Sequence, residues 1–244
     1  MELIPVKIDK EVGVGDDLVG LMLESETKPE LQDNDIIMFT QKIISKQEGR
    51  TINLSDVKPS LLATGIASEY GKDPRVMELI MGQTKRIVRM RNGIIISETF
   101  HGFICANAGV DESNVPEGSA TLLPADPDLS AESLRRQIKQ KTGKDTAIVI
   151  SDTFGRPFRQ GQTNVAIGLS GMEPILDYAG KPDSFGRLLR VTAIAIADEL
   201  SSATELVMGK SLRTPICIIR NFGFSKTKSK IDVLIRQRSE DLFR

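Results

Sequence analysis

Asn92-Gly93, flanked by the apolar runs Lys85 to Met90 and Ile94 to Ser97, is the feature that most restricts the fold of this chain. Both residues accept positive φ, and Asn-Gly between two such runs specifies a tight β-hairpin. A hairpin pairs its arms antiparallel, so it breaks the simple parallel pattern that alternating strands and helices elsewhere would suggest. The expected fold class is therefore α+β, with mixed sheets.

The remaining punctuation fits that class. Asp35 to Phe39 reads as a buried strand whose end delivers Thr40, Gln41 and Lys42 to a polar segment reaching Ser45 and Lys46. Asp73-Pro74 starts a helix that ends near Gly82, because Asp caps and Pro fits the first turn. Ser130 is expected to cap a helix closed by Gly143, and Ala147 to Ile150, Thr163 to Ser170 and Pro215 to Ile219 read as extended. Arg187 to Met208 carries Leu188, Val191, Ala195, Leu200 and Ala203 at helical spacing, which predicts one long apolar helix ended by Gly209.

Composition narrows the function. A net charge of -1 and an absence of Trp argue against nucleic acid, which needs a basic face or stacking platforms. Cys105 and Cys217 lie in apolar runs without metal-ligand spacing, which fits a reducing cytoplasm. No stretch approaches the length of a membrane span, so neither a membrane partner nor export is expected.

Chemistry concentrates at two acidic strand ends. Gly109-Val110-Asp111 and Ile150-Ser151-Asp152-Thr153 each project a carboxylate where buried backbone meets a polar loop. Small residues at Ala106, Ala108 and Gly109 leave room for a ligand or another backbone to approach. Together Asp111 and Asp152 suggest a shared magnesium or manganese ion, which favours one or two carboxylates completed by phosphate and water. Two aspartates that cap turns are the alternative reading of the same spacing.

Neither a GxxxxGK[ST] loop nor a GxGxxG fingerprint occurs, so phosphates would meet Lys42, Lys46 or Lys210, each of which could equally be solvated. Arg156 and Arg159 offer forked donors to an anionic substrate, or to nearby aspartates that would fix the loop. His101 is the single histidine; without a nucleophile elbow it reads as structural or as a substrate contact before it reads as a general base.

Several segments in order resemble the coenzyme F420-0:L-glutamate ligase family, the F420 gamma-glutamyl ligases. They are Leu3-Ile4-Pro5-Val6, Ile43-Ile44-Ser45-Lys46-Gln47-Glu48-Gly49-Arg50 and Cys105-Ala106-Asn107-Ala108-Gly109-Val110-Asp111-Glu112-Ser113-Asn114. Leu122 to Asp128, Ile150 to Arg156, Ala166-Ile167-Gly168 and Ala197-Asp198-Glu199-Leu200 follow. The resemblance implies a catalytic domain over residues 1–220, with residues 221–244 as a tail packed on it, and an interlocked homodimer.

It implies a cytoplasmic, GTP-dependent ligase that adds L-glutamate to F420-0 through an acyl phosphate, extends a gamma-linked tail, and releases GDP and phosphate. Divalent magnesium or manganese, two per site, and potassium would serve as cofactors. Carried over by motif, Asp111 and Asp152 would be catalytic and ligate metal, and Thr153 would hold the second ion. Asn114, Gln41, Lys42, Lys46, Met208, Gly209 and Lys210 would contact the nucleotide. Lys7, Ile8, Asp9 and Lys10 fall where a third nucleotide loop is expected, while His101, Arg156 and Arg159 are the substrate candidates. Glutamylation of a folate-type acceptor, a metal-dependent phosphohydrolase and a nucleotide-sensing module are the competing readings.

Overall fold

A computed structural model describes residues 1–242. The first half of the chain forms β1 (Glu2–Val6), α1 (Leu18–Leu23), β2 (Ile36–Thr40), α2 (Gln41–Gln47), β3 (Thr51–Asn53), α3 (Leu61–Tyr70) and α4 (Pro74–Gln83). There follow the hairpin arms β4 (Thr84–Arg91) and β5 (Ile94–Thr99), then β6 (Ile104–Ala106), β7 (Ser119–Thr121) and α5 (Pro127–Thr142). The second half gives β8 (Ala147–Arg156), β9 (Arg159–Ser170), β10 (Leu176–Asp177), β11 (Ala193–Ile194), α6 (Ile196–Met208) and β12 (Ile216–Arg220).

The principal sheet has the order β1-β12-β2-β8-β9, in which β2 and β8 are parallel and the other neighbours antiparallel. Ile36 to Phe39, Ala147 to Ile150 and Ile218 to Ile219 are fully buried. That explains why these strands read as continuous apolar runs rather than alternating ones. Each of the larger side chains among them contributes roughly 1.5–3 kcal/mol by leaving water. α6 packs on β1, β12, β8 and β9, and α5 on β8 and β9. A second, smaller core forms where Ala63 and Ala67 of α3 and Val76, Met77 and Ile80 of α4 meet Ile95 of the hairpin sheet.

The mixed α+β class and the hairpin at Asn92 (φ 52°) and Gly93 (φ 72°) are present in the structure. The long apolar helix is not. Its expected N-terminal part, Arg187 to Ala195, folds back instead: Leu189 exchanges hydrogen bonds with Gly180 and Lys181, and Tyr178 donates to the Thr192 carbonyl. Leu188 and Val191 are 65% and 91% exposed, so their helical spacing does not mark a buried stripe. Helix begins only at Ile196, where Asp198 and Glu199 occupy the first turn and complement the positive end of the helix dipole. The cap of α5 is also displaced, to Asp126, whose carboxylate accepts from the Leu129 N–H ahead of Pro127.

The C-terminal segment lies on the main core through Phe222, Phe224, Ile231, Leu234 and Ile235, and positions 243 and 244 lie outside the described residues. No helix among the described residues is long and apolar enough to cross a membrane.

Gly168 sets the distance between α5 and the sheet. A Cβ there would lie 2.5–2.6 Å from the Cβ, carbonyl carbon and carbonyl oxygen of Pro127. Backbone cannot yield as a side-chain tip can, so Gly168→Ala is expected to lower stability by about 1–3 kcal/mol. Urea unfolding of the two proteins measures this, and an unchanged midpoint would show that α5 moves freely.

Candidate active site

β2 and β8 run parallel with Thr40 paired to Ser151, so the C-terminal end of β2 lies beside the point where β8 runs on paired with β9 alone. β2 turns directly into α2, which puts Lys42 in that helix's first turn, while β8 continues to Asp152 and Thr153. A third chain arrives from β6, which packs on β8. Beyond it Asn107, Ala108 and Gly109 are all left-handed, with φ of 53°, 51° and 74°. Such a run is rare in ordinary L-residues and reverses the chain sharply. Asp111 then pairs with Thr121 in an isolated bridge and faces Lys42.

The small residues Ala106, Ala108 and Gly109 are expected to leave room for a ligand or another backbone. The chain itself fills much of that space: Ala108 is buried, and a Cβ at Gly109 would strike the Leu123 side chain at 2.6–2.8 Å.

Asp111 accepts from Lys42 Nζ and, at 2.8 Å each, from the Ser113 N–H and hydroxyl. Burial pushes the Asp111 carboxyl up, but the Lys42 ammonium and the Ser113 donors outweigh it and hold the group below the usual carboxylate range. Asp152 is the opposite case. Burial pushes it up to about 6; the Thr153 N–H and the Lys42 and Lys210 charges act against the shift, and the Asp111 charge adds to it. Asp152 therefore lies within electrostatic reach of Asp111 as well as of the two lysines. Burial, reinforced by Asp152, pushes the Cys105 thiol up to about 12, which leaves it inert as a nucleophile.

Among the described residues no three His, Cys, Asp or Glu side chains converge as a protein-only metal cage. Two coupled carboxylates and the Thr153 hydroxyl are instead a donor set suited to magnesium or manganese completed by phosphate oxygens and water.

Lysines come to this edge from α2 and from the turn after α6. Lys46 pairs with Glu11, and Lys210 donates to Thr153 Oγ1 at 2.7 Å and pairs with Glu205 at 3.0 Å. Residues 7–10 come to the same edge because Ile8 donates to the Arg213 carbonyl at 2.9 Å and Arg213 donates to that of Asp9 at 3.1 Å. Lys7 is paired with Asp9, Ile8 is buried, and Lys10 pairs with Asp16. Met208 is buried at the end of α6, and Gly209 (φ 61°) turns the chain so that Lys210 reaches back to β8.

Other predicted site residues stand differently. Gln41 is buried and donates its amide to Ser45 and to the Leu122 carbonyl, so its side chain braces α2. Asn114 is exposed on a left-handed turn. Arg156 and Arg159 face each other across the far end of the β8–β9 hairpin, where Arg156 donates to the Gln160 carbonyl rather than to an aspartate. His101 Nε2 lies 2.9 and 3.1 Å from the Pro124 and Ala125 carbonyls and therefore donates, while the ring stacks on Phe103.

Asn164 and Glu205 join the site without a motif in the sequence to mark them, whereas Ser113 lies in the oxygen-rich loop after Gly109. For Asn164 the signal was present: it is a polar residue near the start of an otherwise apolar strand run, and a buried amide needs partners.

A family model described as F420-0:Gamma-glutamyl ligase matches residues 7–221. The chain is 45% identical to the coenzyme F420:L-glutamate ligase of Methanothermobacter thermautotrophicus, over 100% of this chain and 99% of that one. With the enzyme of the same name from Methanopyrus kandleri it shares 42% identity over 100% and 98%. With that of Methanocaldococcus jannaschii the figures are 45% identity over 88% and 86%.

Proposed function

Because the chain belongs to the F420-0:gamma-glutamyl ligase family and is an enzyme forming carbon–nitrogen bonds, we propose that it joins L-glutamate to F420-0 at the expense of GTP. The observation that carries this reading is the pairing of Asp111 with Lys42 beside the half-buried carboxyl of Asp152, with Lys210 bonded to Thr153 and Lys46 one turn further along α2. Three ammonium groups around two coupled carboxylates suit a polyphosphate and the cations that accompany it.

The reaction begins as a carboxylate oxygen of the acceptor attacks the γ-phosphorus of GTP, forming an acyl phosphate and expelling GDP. The glutamate amine then attacks the acyl carbon; phosphate departs with the former carboxylate oxygen, and the amine proton passes to solvent. Lys42, Lys46 and Lys210 bind and orient phosphate oxygens. Asp111, Asp152 and Thr153 would hold magnesium or manganese, two ions per site with potassium as an accessory. When bound there, the ions offset the charge that moves with the phosphoryl group. The same site acting on its own glutamylated product would extend a gamma-linked tail.

Homodimerisation belongs to this reading.

Incubation with F420-0, L-glutamate, GTP and Mg2+, followed by mass spectrometry, is expected to give conjugate together with equal amounts of GDP and phosphate. Phosphate release at full rate without glutamate or acceptor would instead establish a phosphohydrolase. Conjugation of folate alone would replace the acceptor.

A further inference from the structure

Thr153 and Asn164 are direct partners across the β8–β9 ladder, and Asn164 is only 2% exposed. Thr153 Oγ1 lies 2.7 Å from Asn164 Oδ1, and Asn164 Nδ2 lies 2.9 Å from Glu205 Oε2 on α6. Glu205 Oε1 is 3.0 Å from Lys210 Nζ, which returns to Thr153 Oγ1 at 2.7 Å. Four side chains thus close a ring, and the chemistry of its members fixes the position of every proton.

An ionised carboxylate only accepts, so Glu205 requires the NH2 end of the Asn164 amide. The amide oxygen must then face Thr153, and two oxygens can share that contact only if the hydroxyl donates. Lysine only donates, so Lys210 occupies one lone pair of the same hydroxyl oxygen. Thr153 is left with a single lone pair and no proton to give. It can meet a cation or a water proton but cannot donate to a phosphate oxygen. Lys210, by contrast, keeps one N–H beyond those directed at Thr153 and Glu205.

We propose that Asn164 and Glu205 are positioning residues of the nucleotide site. By setting the polarity of this ring they present Thr153 as a metal-facing acceptor and hold Lys210 as a phosphate-facing donor. The inference rests on the nucleotide and metal reading of Asp111, Asp152 and Thr153. A tie that merely fastened α6 to the β8–β9 hairpin would need the contacts but not their direction.

Glu205→Gln separates the two. A glutamine can donate to Asn164, whose amide then turns its NH2 toward Thr153, so the ring keeps its shape while its polarity reverses. Binding of Mn2+ in the presence of GDP, followed by electron paramagnetic resonance, is expected to weaken roughly 10–100-fold, the usual consequence of disturbing a ligand's supporting partner. Thr153→Val should match that loss, the double variant should be no worse than Thr153→Val alone, and Thr153→Ser should restore binding. Asn164→Ser breaks the ring at its other side and keeps the test standing should Glu205→Gln lose its fold.

Wild-type Mn2+ affinity in folded Glu205→Gln and Asn164→Ser, with loss in Thr153→Val, would overturn the positioning role alone. Wild-type affinity in Asp152→Asn as well would overturn the metal reading beneath it.

Discussion

Asp152→Asn is expected to abolish conjugate formation, by on the order of 10³-fold or about 4 kcal/mol in the barrier, while making the metal-free protein more stable at neutral pH. The two effects share one cause. Burial raises the Asp152 carboxyl from 3.8 to about 6, so the folded chain binds that proton more tightly than the unfolded chain does. Stability therefore falls as pH rises from about 4 through about 6, and the loss persists above that window. At pH 7.5 the penalty amounts to at most about 3 kcal/mol, and removing the charge should raise the melting temperature by roughly 5 °C. Added Mg2+ should stabilise the wild type and leave the variant unchanged. Thermal melts at pH 4 and pH 7.5, with and without Mg2+, check each sign; a variant less stable than wild type at pH 7.5 without metal would contradict the account.

Arg220→Leu is expected to have the largest effect on stability. Arg220 grips Asp35 through two contacts at 2.9 and 2.8 Å and also donates to the Glu30 carbonyl at 2.8 Å. Asp35 is 2% exposed at the start of β2, so loss of the guanidinium strands a buried carboxylate. Removing one member of such a pair costs about 3–5 kcal/mol. Denaturant unfolding should show that loss, and Asp35→Asn combined with Arg220→Leu should recover part of it, because the cost lies in the unpaired charge. A double variant as unstable as the single one would place the cost in lost packing of Arg220. Ligase activity of the folded fraction should persist, since this pair sits at the opposite end of β2 from Lys42.

Much of this architecture was legible in the sequence where a local rule acts alone. Asn92-Gly93 specified its hairpin, and Asp73-Pro74 its helix, because turn and cap chemistry need no distant partner. Asp126-Pro127 carries the same Asp-Pro signal and caps α5, while the Ser130 hydroxyl bonds Glu48 and the Asp126 carbonyl. Leu188 and Val191 misled for a different reason: spacing reports which residues share a face, not whether anything covers that face. The acidic residues Asp198 and Glu199 carried the true helix start.

At the site, Asp111 and Asp152 were visible as acidic strand ends, but their unlike ionisation was not. It follows from burial and from the neighbour each one has, and Lys42 is separated from Asp111 by sixty-nine positions in the chain. The ring of Thr153, Asn164, Glu205 and Lys210 was hidden in the same way, since it unites a strand pair, a helix and a turn that only the fold brings together.

Transfer of an oxygen atom tests the proposed chemistry most directly. F420-0 bearing 18O in its reacting carboxylate, turned over with GTP, L-glutamate and Mg2+, should yield one 18O in the released phosphate for each amide bond formed. Phosphate free of acceptor-derived 18O, with the carboxylate oxygen lost on amide formation recovered in water instead, would contradict an acyl phosphate and with it the role assigned to this site.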